Sequence, residues 1–292
     1  MSDNYKTMGE RALMHGPLEA LFCCIGDPVI GNPTQIMVED AFEEIGFAGR
    51  YLTCTVATGS VKEAIEGIKA LGFAGANVTA PHKVEVIQYL DGLTESARLS
   101  GAVNCIYREG DKLIGDNTDG KGFHTSIELI KPVEGMKVLV LGAGGAARAI
   151  ITELALHKAG SITIANRTLE KAQAIVDTLS KEVSTKLDAI KLEDHFAIDK
   201  SWDLVVQATS VGLFAPQEGL DLVWEKGERI AADVVFNPIE TQFLKAAQKA
   251  GATCVDGLGM LVYQGAIAIE KWSQRKTNFA TMKEALERAF SL

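Results

Sequence analysis

The stretch Val138-Leu139-Val140-Leu141-Gly142-Ala143-Gly144-Gly145-Ala146-Ala147-Arg148 passes from an unbroken apolar run directly into helical spacing. A short apolar run closed by glycine reads as a strand, and its direct continuation as a helix marks a βα unit. Gly142 allows the tight turn, Gly144 lets backbone amides approach a pyrophosphate, and Ala147 takes the small-residue position where helix packs on strand. The helix start brings positive partial charge toward phosphate, with Ala143, Gly145 and Ala146 completing the candidate loop. A glycine-rich turn that is merely tight is the bland alternative.

Working outward, short β-rich runs recur at Ser161–Ala165, Leu187–Ile190, Leu204–Gln207, Ile230–Val234 and Thr253–Val255, separated by helix-like or loop segments. With Lys137–Leu141 they make a doubly wound α/β series. An earlier series has strands near Leu21–Ile25, Arg50–Thr53, Gly75–Asn77 and Val103–Tyr107, and helices near Gln35–Ile45, Val61–Ala70 and His82–Leu90. Asn117 to Pro132 reads as a turn and amphipathic helix joining the two. Leu258–Arg275 and Met282–Phe290 are helical, and periodicity alone is compatible with their extending the second domain or returning to the first. A chain of 292 residues accommodates two domains.

The strand after the glycine loop ends in Ala165-Asn166-Arg167-Thr168. An NAD site commonly places an acidic residue there against the ribose 2′-hydroxyl; an arginine instead holds a 2′-phosphate through directional, charge-assisted bonds. NADP is therefore expected over NAD, with Asn166, Arg167 and Thr168 at the turn and Lys171 one helical turn onward. The alternatives are that Thr168 caps its helix and Lys171 is a solvated charge. Thr209 and Ser210, just after another strand, are candidates to line the nucleotide.

Composition narrows the partners. A formal net charge of −9 argues against broad adhesion to nucleic acid or anionic membrane. Apolar stretches are broken by charges such as Arg148 and Glu153 well short of a membrane span. Met1 to Gly16 lacks a secretory hydrophobic segment, so a cytoplasmic protein is expected, and its state, monomer or homodimer, is left open. The five cysteines include no Cys-x-x-Cys spacing, so neither a metal nor a disulfide framework is expected.

Polar chemistry gathers in Asn77-Val78-Thr79-Ala80-Pro81-His82-Lys83, at Asn104, and in Gly115-Asp116-Asn117-Thr118-Asp119-Gly120. Loops at strand ends commonly carry function. Standing alone, Lys83 would be a surface lysine and Asp119 a turn or cap residue. His82 has a reference pKa suited to proton transfer, but is read as structural.

Taken in order, these motifs resemble the shikimate/quinate dehydrogenase family, in which Asn-Val-Thr-x-Pro-x-Lys and Asp-Asn-Thr-Asp-Gly accompany a Gly-x-Gly-Gly NADP loop. The resemblance extends through Asn166-Arg167-Thr168, Ala208-Thr209-Ser210 and Asp256 to Ala266, covering nearly the whole chain. It implies a substrate domain of residues 1–118 and 259–292, to which the C-terminal helices return, and a Rossmann-type NADP domain of residues 119–258. It implies Lys83 and Asp119 as the catalytic pair, Asn77, Thr79, Asn104 and Gln264 on substrate hydroxyls, and Gly257 to Met260 near the nicotinamide. The implied activity is hydride transfer between NADP(H) and shikimate, quinate or a related cyclic hydroxy acid.

Two departures accompany it. Family members usually carry Ser-x-Ser early in the chain for the substrate carboxylate; here Asn32 and Thr34 hold those positions, flanked by Gly31 and Gln35 in place of the usual histidine and proline. Phe236 stands where relatives often have tyrosine. An NADP-binding regulatory protein without turnover is the alternative, which intact Lys83 and Asp119 oppose. Initial rates at the nicotinamide absorbance band are expected to be higher with NADP than with NAD; the reverse order would remove the role given to Arg167.

Overall fold

The computed structural model describes residues 19–213 and 215–290, so the opening segment Met1 to Gly16 lies outside the described residues. The chain begins with β1 (Ala20–Gly26), α1 (Thr34–Glu44), β2 (Gly49–Thr55), α2 (Val61–Ala70) and β3 (Gly75–Val78). A 3-10 turn at Glu85–Tyr89 leads to β4 (Gly92–Leu93), α3 (Glu95–Ser100), β5 (Cys105–Glu109), β6 (Lys112–Asp116) and α4 (Thr118–Glu128). Next come β7 (Lys137–Leu141), α5 (Gly145–Leu156), β8 (Ser161–Asn166), α6 (Leu169–Leu179), β9 (Lys186–Lys191), β10 (Phe196–Ile198) and β11 (Leu204–Gln207). The chain closes with β12 (Leu222–Trp224), β13 (Ile230–Asp233), α7 (Gln242–Lys249), β14 (Thr253–Val255), α8 (Gly257–Ser273) and α9 (Phe279–Phe290). No helix among the described residues is long and apolar enough to cross a membrane.

Two compact units divide this chain. One runs to Gly92 and adds Val103–Gly115 and the chain from Ala268; the other comprises Leu93–Ala102 and Asp116–Ile267. The first holds a mixed sheet of order β2-β1-β3-β5-β6-β4, in which β1 runs parallel to β2 and β3 while β3 and β5 are antiparallel. Helix α2 buries Val61, Ile65 and Ile68, an i, i+4, i+7 stripe that the spacing alone predicts. Phe22 packs against Phe42 and Trp272, with ring centroids 5.2 and 4.8 Å away. Trp272 Nε1 donates to Ile106 O at 2.9 Å, and Arg275 Nη1 donates to Ile45 O at 2.7 Å. These contacts decide a point that periodicity left open: the C-terminal helical segment closes the first unit.

The second unit holds a six-stranded sheet of order β14-β13-β11-β7-β8-β9, parallel at every neighbouring pair. Alternate residues feed two cores. Val138 and Val140 join Ile162, Ile164, Leu204 and Val206 on one face, while Leu139 and Leu141 join Ala165, Val205 and Phe243 on the other. Burial of both faces is why β7 reads as a continuous apolar run rather than an alternating one. Later strands extend one way through β8 and β9 and the other way through β11, so the order reverses at β7 and makes a topological switch point there.

Local differences from the sequence reading have identifiable causes. The helix expected at His82–Leu90 is a turn followed by a 3-10 segment, because Lys83 O accepts the Val103 N–H at 2.8 Å and is lost to a helical ladder. The strand expected at Val103–Tyr107 is displaced to Cys105–Glu109 and turns at Gly110, φ +60°, into β6, which the sequence pattern does not mark. Helix α3 is a further addition; Thr94 caps it through the Ala97 N–H and Gly101, φ +63°, ends it. It groups with the second unit: Leu99 enters that core and Ser96 Oγ donates to Glu153 Oε2 at 2.8 Å. The two-stranded parallel pair β10 and β12 is a further addition.

Glycines in α4 set how closely helices approach in the second unit. A Cβ on Gly120 would lie 2.3 Å from Ala149 O, and one on Gly122 would lie 2.6 Å from Met260 O. Helix propensity alone would make Gly120→Ala stabilising by roughly 1 kcal/mol. The backbone overlap dominates, so urea unfolding of Gly120→Ala is expected to show a net destabilisation of about 1–3 kcal/mol; unchanged or increased stability would show that the two helices separate freely.

Candidate active site

At the carboxyl end of β7 the chain turns through Gly142 at φ +115°, and a Cβ there would lie 2.8 Å from Ala208 O. Only glycine meets both conditions. Gly142 N–H donates to Ala165 O at 2.8 Å, tying the turn to β8. Gly144 takes the N-cap position of α5 without a side-chain cap, and a Cβ on Gly144 or Gly145 would meet nothing within 4 Å. The helix start is therefore open to solvent and carries no acidic residue in its first turn. Ala147 is fully buried beneath it, as the small-residue position requires.

Neighbouring loops at the same sheet edge carry the other nucleotide candidates. Asn166 Nδ2 donates to Thr168 O at 2.8 Å, shaping the turn that leaves Arg167, Thr168 and Lys171 exposed. Thr168 stands at the N-cap position of α6 but makes no side-chain capping bond. After β11, Thr209 N and Oγ1 both donate to Gln207 Oε1, at 2.6 and 2.7 Å, and Thr209 Oγ1 accepts from Val211 N. Gln207 thus organises this loop, leaving Ser210 exposed. A Cβ on Gly257 would lie 2.6 Å from Val234 O, so α8 starts against the chain leaving β13, and Asp256 Oδ1 accepts the Leu258 N–H at 2.9 Å. Met260 is half-buried against the core of this unit. The reversed strand order, the glycine turn that excludes a Cβ, the uncapped helix start and the exposed cation fit a phosphorylated dinucleotide.

The same unit holds Asp119 and Gln264. Asn117 caps α4 by accepting the Asp119 N–H at 3.1 Å, so the cap belongs to Asn117 and Asp119 occupies the first turn, half-buried. Gln264 is buried on α8, where its Nε2 donates to Leu261 O at 3.0 Å and its Oε1 lies 3.5 Å from Thr118 Oγ1.

In the first unit, the remaining candidates stand on adjacent strand ends. Tyr51 OH donates to Asn77 Oδ1 at 2.6 Å, and Asn77 Nδ2 donates to Asn104 O at 3.1 Å. Asn104 O also accepts from Val78 N, while Thr79 N donates to Ile25 O, so β1, β3 and the start of β5 are locked together at this edge. Gly26 leaves no room for a Cβ, since Thr79 Cγ2 would lie 2.3 Å from it. His82 is fully buried with Nε2 2.7 Å from Val56 O, a loop anchor as the sequence suggested. Lys83 is half-buried and its positive charge acts on the Cys24 thiol. Cys24 in turn is reached by Asn32 Nδ2 at 3.5 Å. The fold thus links Asn32 and Lys83 to Cys24, and Asn77 to Tyr51 and Asn104, bringing in two residues, Cys24 and Tyr51, that no sequence motif marked.

Together an open dinucleotide turn and a strand-end cluster of amides with a lysine define the class of nicotinamide-dependent oxidoreductases. Comparison with known proteins gives the family. Residues 24–106 match the shikimate dehydrogenase substrate binding domain, 126–216 the shikimate/quinate 5-dehydrogenase family and 257–287 the shikimate 5′-dehydrogenase C-terminal domain. The shikimate dehydrogenase (NADP(+)) of Geobacillus kaustophilus is 40% identical over 271 residues, spanning 91% of this chain and 97% of that protein. Among solved structures, ligand-free 5-ketofructose reductase of Gluconobacter sp. strain CHM43 superposes with TM-score 0.89 at 40% identity, covering 93% of this chain and 99% of that one. A shikimate dehydrogenase in complex with NADP+ superposes with TM-score 0.85 at 36% identity, covering 92% and 95%. This chain belongs to the shikimate dehydrogenase family.

One buried carboxyl that the motifs overlooked supports the Phe236 loop. Asp233 accepts from Val235 N at 2.9 Å and from Thr241 Oγ1 at 2.6 Å. Burial raises its pKa from 3.8 to about 6 against the lowering effect of both bonds. Because the folded value is the higher, protonation stabilises the fold fully below about pH 4, and that contribution is lost as pH rises through about 6, a change of roughly 3 kcal/mol. Asp233→Asn should remove this fall from the difference between wild-type and variant urea midpoints at pH 4 and 7; parallel profiles would assign Asp233 an ordinary pKa.

Proposed function

We propose that this chain interconverts a secondary alcohol and its ketone with NADP(H) on a compact polyhydroxylated substrate. The observation that supports this best is the pairing, in one chain, of the open Gly142–Gly145 turn followed by Arg167 with the strand-end cluster around Lys83. NADP(H) is the cofactor, since Arg167 suits a 2′-phosphate that an acidic residue would repel. When bound, it supplies or accepts the hydride. Lys83 and Asp119 manage the hydroxyl proton: an ammonium donates it to the nascent alkoxide in reduction, and the amine takes it up in oxidation. Asn77 has a second N–H and a second lone pair beyond its bonds to Tyr51 and Asn104, and with Thr79, Asn104 and Gln264 is assigned to substrate hydroxyls. Gly257 and Met260 are assigned to the nicotinamide end, and Asn166, Thr168, Lys171, Thr209 and Ser210 to the rest of the nucleotide.

Shikimate is the substrate the curated relatives are named for, and quinate or a related cyclic hydroxy acid belongs to the same reading. A second reading, an uncharged keto sugar such as 5-ketofructose, is favoured by the 40% identity and TM-score of 0.89 to the Gluconobacter reductase. Both use the same proton chemistry. Lys83→Ala is expected to lower kcat by about 10²–10⁴-fold while NADPH fluorescence titration shows little change in affinity. Retained turnover in that variant would take the proton from Lys83, and NADPH binding without turnover of any alcohol or ketone by the wild type would favour a regulatory protein.

A further inference from the structure

The position where relatives place a serine pair for the substrate carboxylate is built differently here. Asn32 Oδ1 accepts the Thr34 N–H at 2.9 Å, and Asn32 Nδ2 lies 3.5 Å from Cys24 Sγ. Bonds at both ends of the amide plane hold it in one orientation, whereas a serine hydroxyl rotates to donate wherever an anion sits. This i, i+2 bond also occupies an amide at the start of α1 that would otherwise attract negative charge, and puts a partly negative oxygen in its place. Thr34, 7% exposed, adds a methyl group to the same corner.

The surrounding wall is neutral and can both donate and accept. Burial pushes the Cys24 thiol up to about 11 and the Tyr51 phenol well above its ordinary value, so neither ionises near pH 7. Thr53 Oγ1 donates to Gln35 Oε1 at 3.1 Å on the adjoining strand. The cation whose field reaches Cys24 is Lys83, already assigned to proton transfer. Apart from Lys83, a carboxylate brought here meets neutral donors already held by bonds within the protein, an unfavourable trade for the water it loses, whereas an uncharged oxygen gives up less hydration.

Resting on the alcohol–ketone reading above, we propose that this corner receives an uncharged oxygen of a polyhydroxy ketone instead of a carboxylate, and that Asn32 and Thr34 set the preference. In the reductive direction NADPH gives a hydride to the carbonyl carbon, the carbonyl π pair moves to oxygen, and Lys83 delivers the proton, yielding NADP+ and the alcohol.

The experiment compares initial rates of NADPH oxidation with 5-ketofructose and with 3-dehydroshikimate, and of NADP reduction with shikimate and its methyl ester. Wild type should favour the keto sugar over the keto acid by about tenfold or more in kcat/KM, and the ester over the free acid. The Asn32→Ser/Thr34→Ser double variant should move the first ratio toward the acid by a similar factor, mainly through KM. The ester comparison uses wild type alone, so it stands even if the double variant folds poorly. Wild-type preference for both acids would overturn the inference while leaving the alcohol–ketone reading intact. NADPH binding with no turnover of any of the four compounds would overturn both.

Discussion

Strand β7 is buried on both faces, and this constraint organises the second unit. Its side chains divide between two cores, its backbone is spent on β8 and β11, and the chain can leave only at the carboxyl end. There Ala208 O stands where a Cβ would be, so the exit is glycine, and the helix that follows starts uncapped. A packing requirement thereby creates the feature that suits phosphate. The chemistry is placed by what the strand excludes.

In the first unit the corresponding constraint is hydrogen-bond accounting at strand ends. Short strands leave backbone carbonyls that must find donors. Asn104 O accepts from Val78 N and from Asn77 Nδ2, and Lys83 O accepts from Val103 N. These bonds fix the main chain beneath the very residues assigned to substrate. The cost is the helix that the spacing of residues 82–90 would otherwise allow.

The substrate preference proposed above rests on one corner more than on the reaction centre. Lys83 and Asp119 belong to motifs shared with the family, whereas Asn32 closes an amide that the family's serine would leave to a rotatable hydroxyl. Bonding within the protein and bonding to a ligand compete for the same atoms, so an extra internal bond narrows what can be bound. The reductase from Gluconobacter and the dehydrogenase from Geobacillus, equally identical to this chain, show that the family's fold serves names with different substrates.

The linear order of residues was enough for the βα architecture, the glycine turn, the arginine after β8 and the motifs carrying Lys83 and Asp119, because each depends on neighbours a few positions apart. It was also enough for α2 and for β11, whose periodicity and apolar run are local properties. It did not reveal the small strands β10 and β12 or the short helix α3, whose stability comes from partners distant in sequence, nor β6, although that strand pairs with β5 just across the turn at Gly110. Periodicity by itself did not decide where the last helices go, although the family resemblance implied it: Trp272 finds Phe22 and Ile106 O only once the sheet has formed. Cys24, Tyr51 and Asp233 carry no motif at all. They matter through burial and through a few long-range hydrogen bonds, and those exist only in three dimensions.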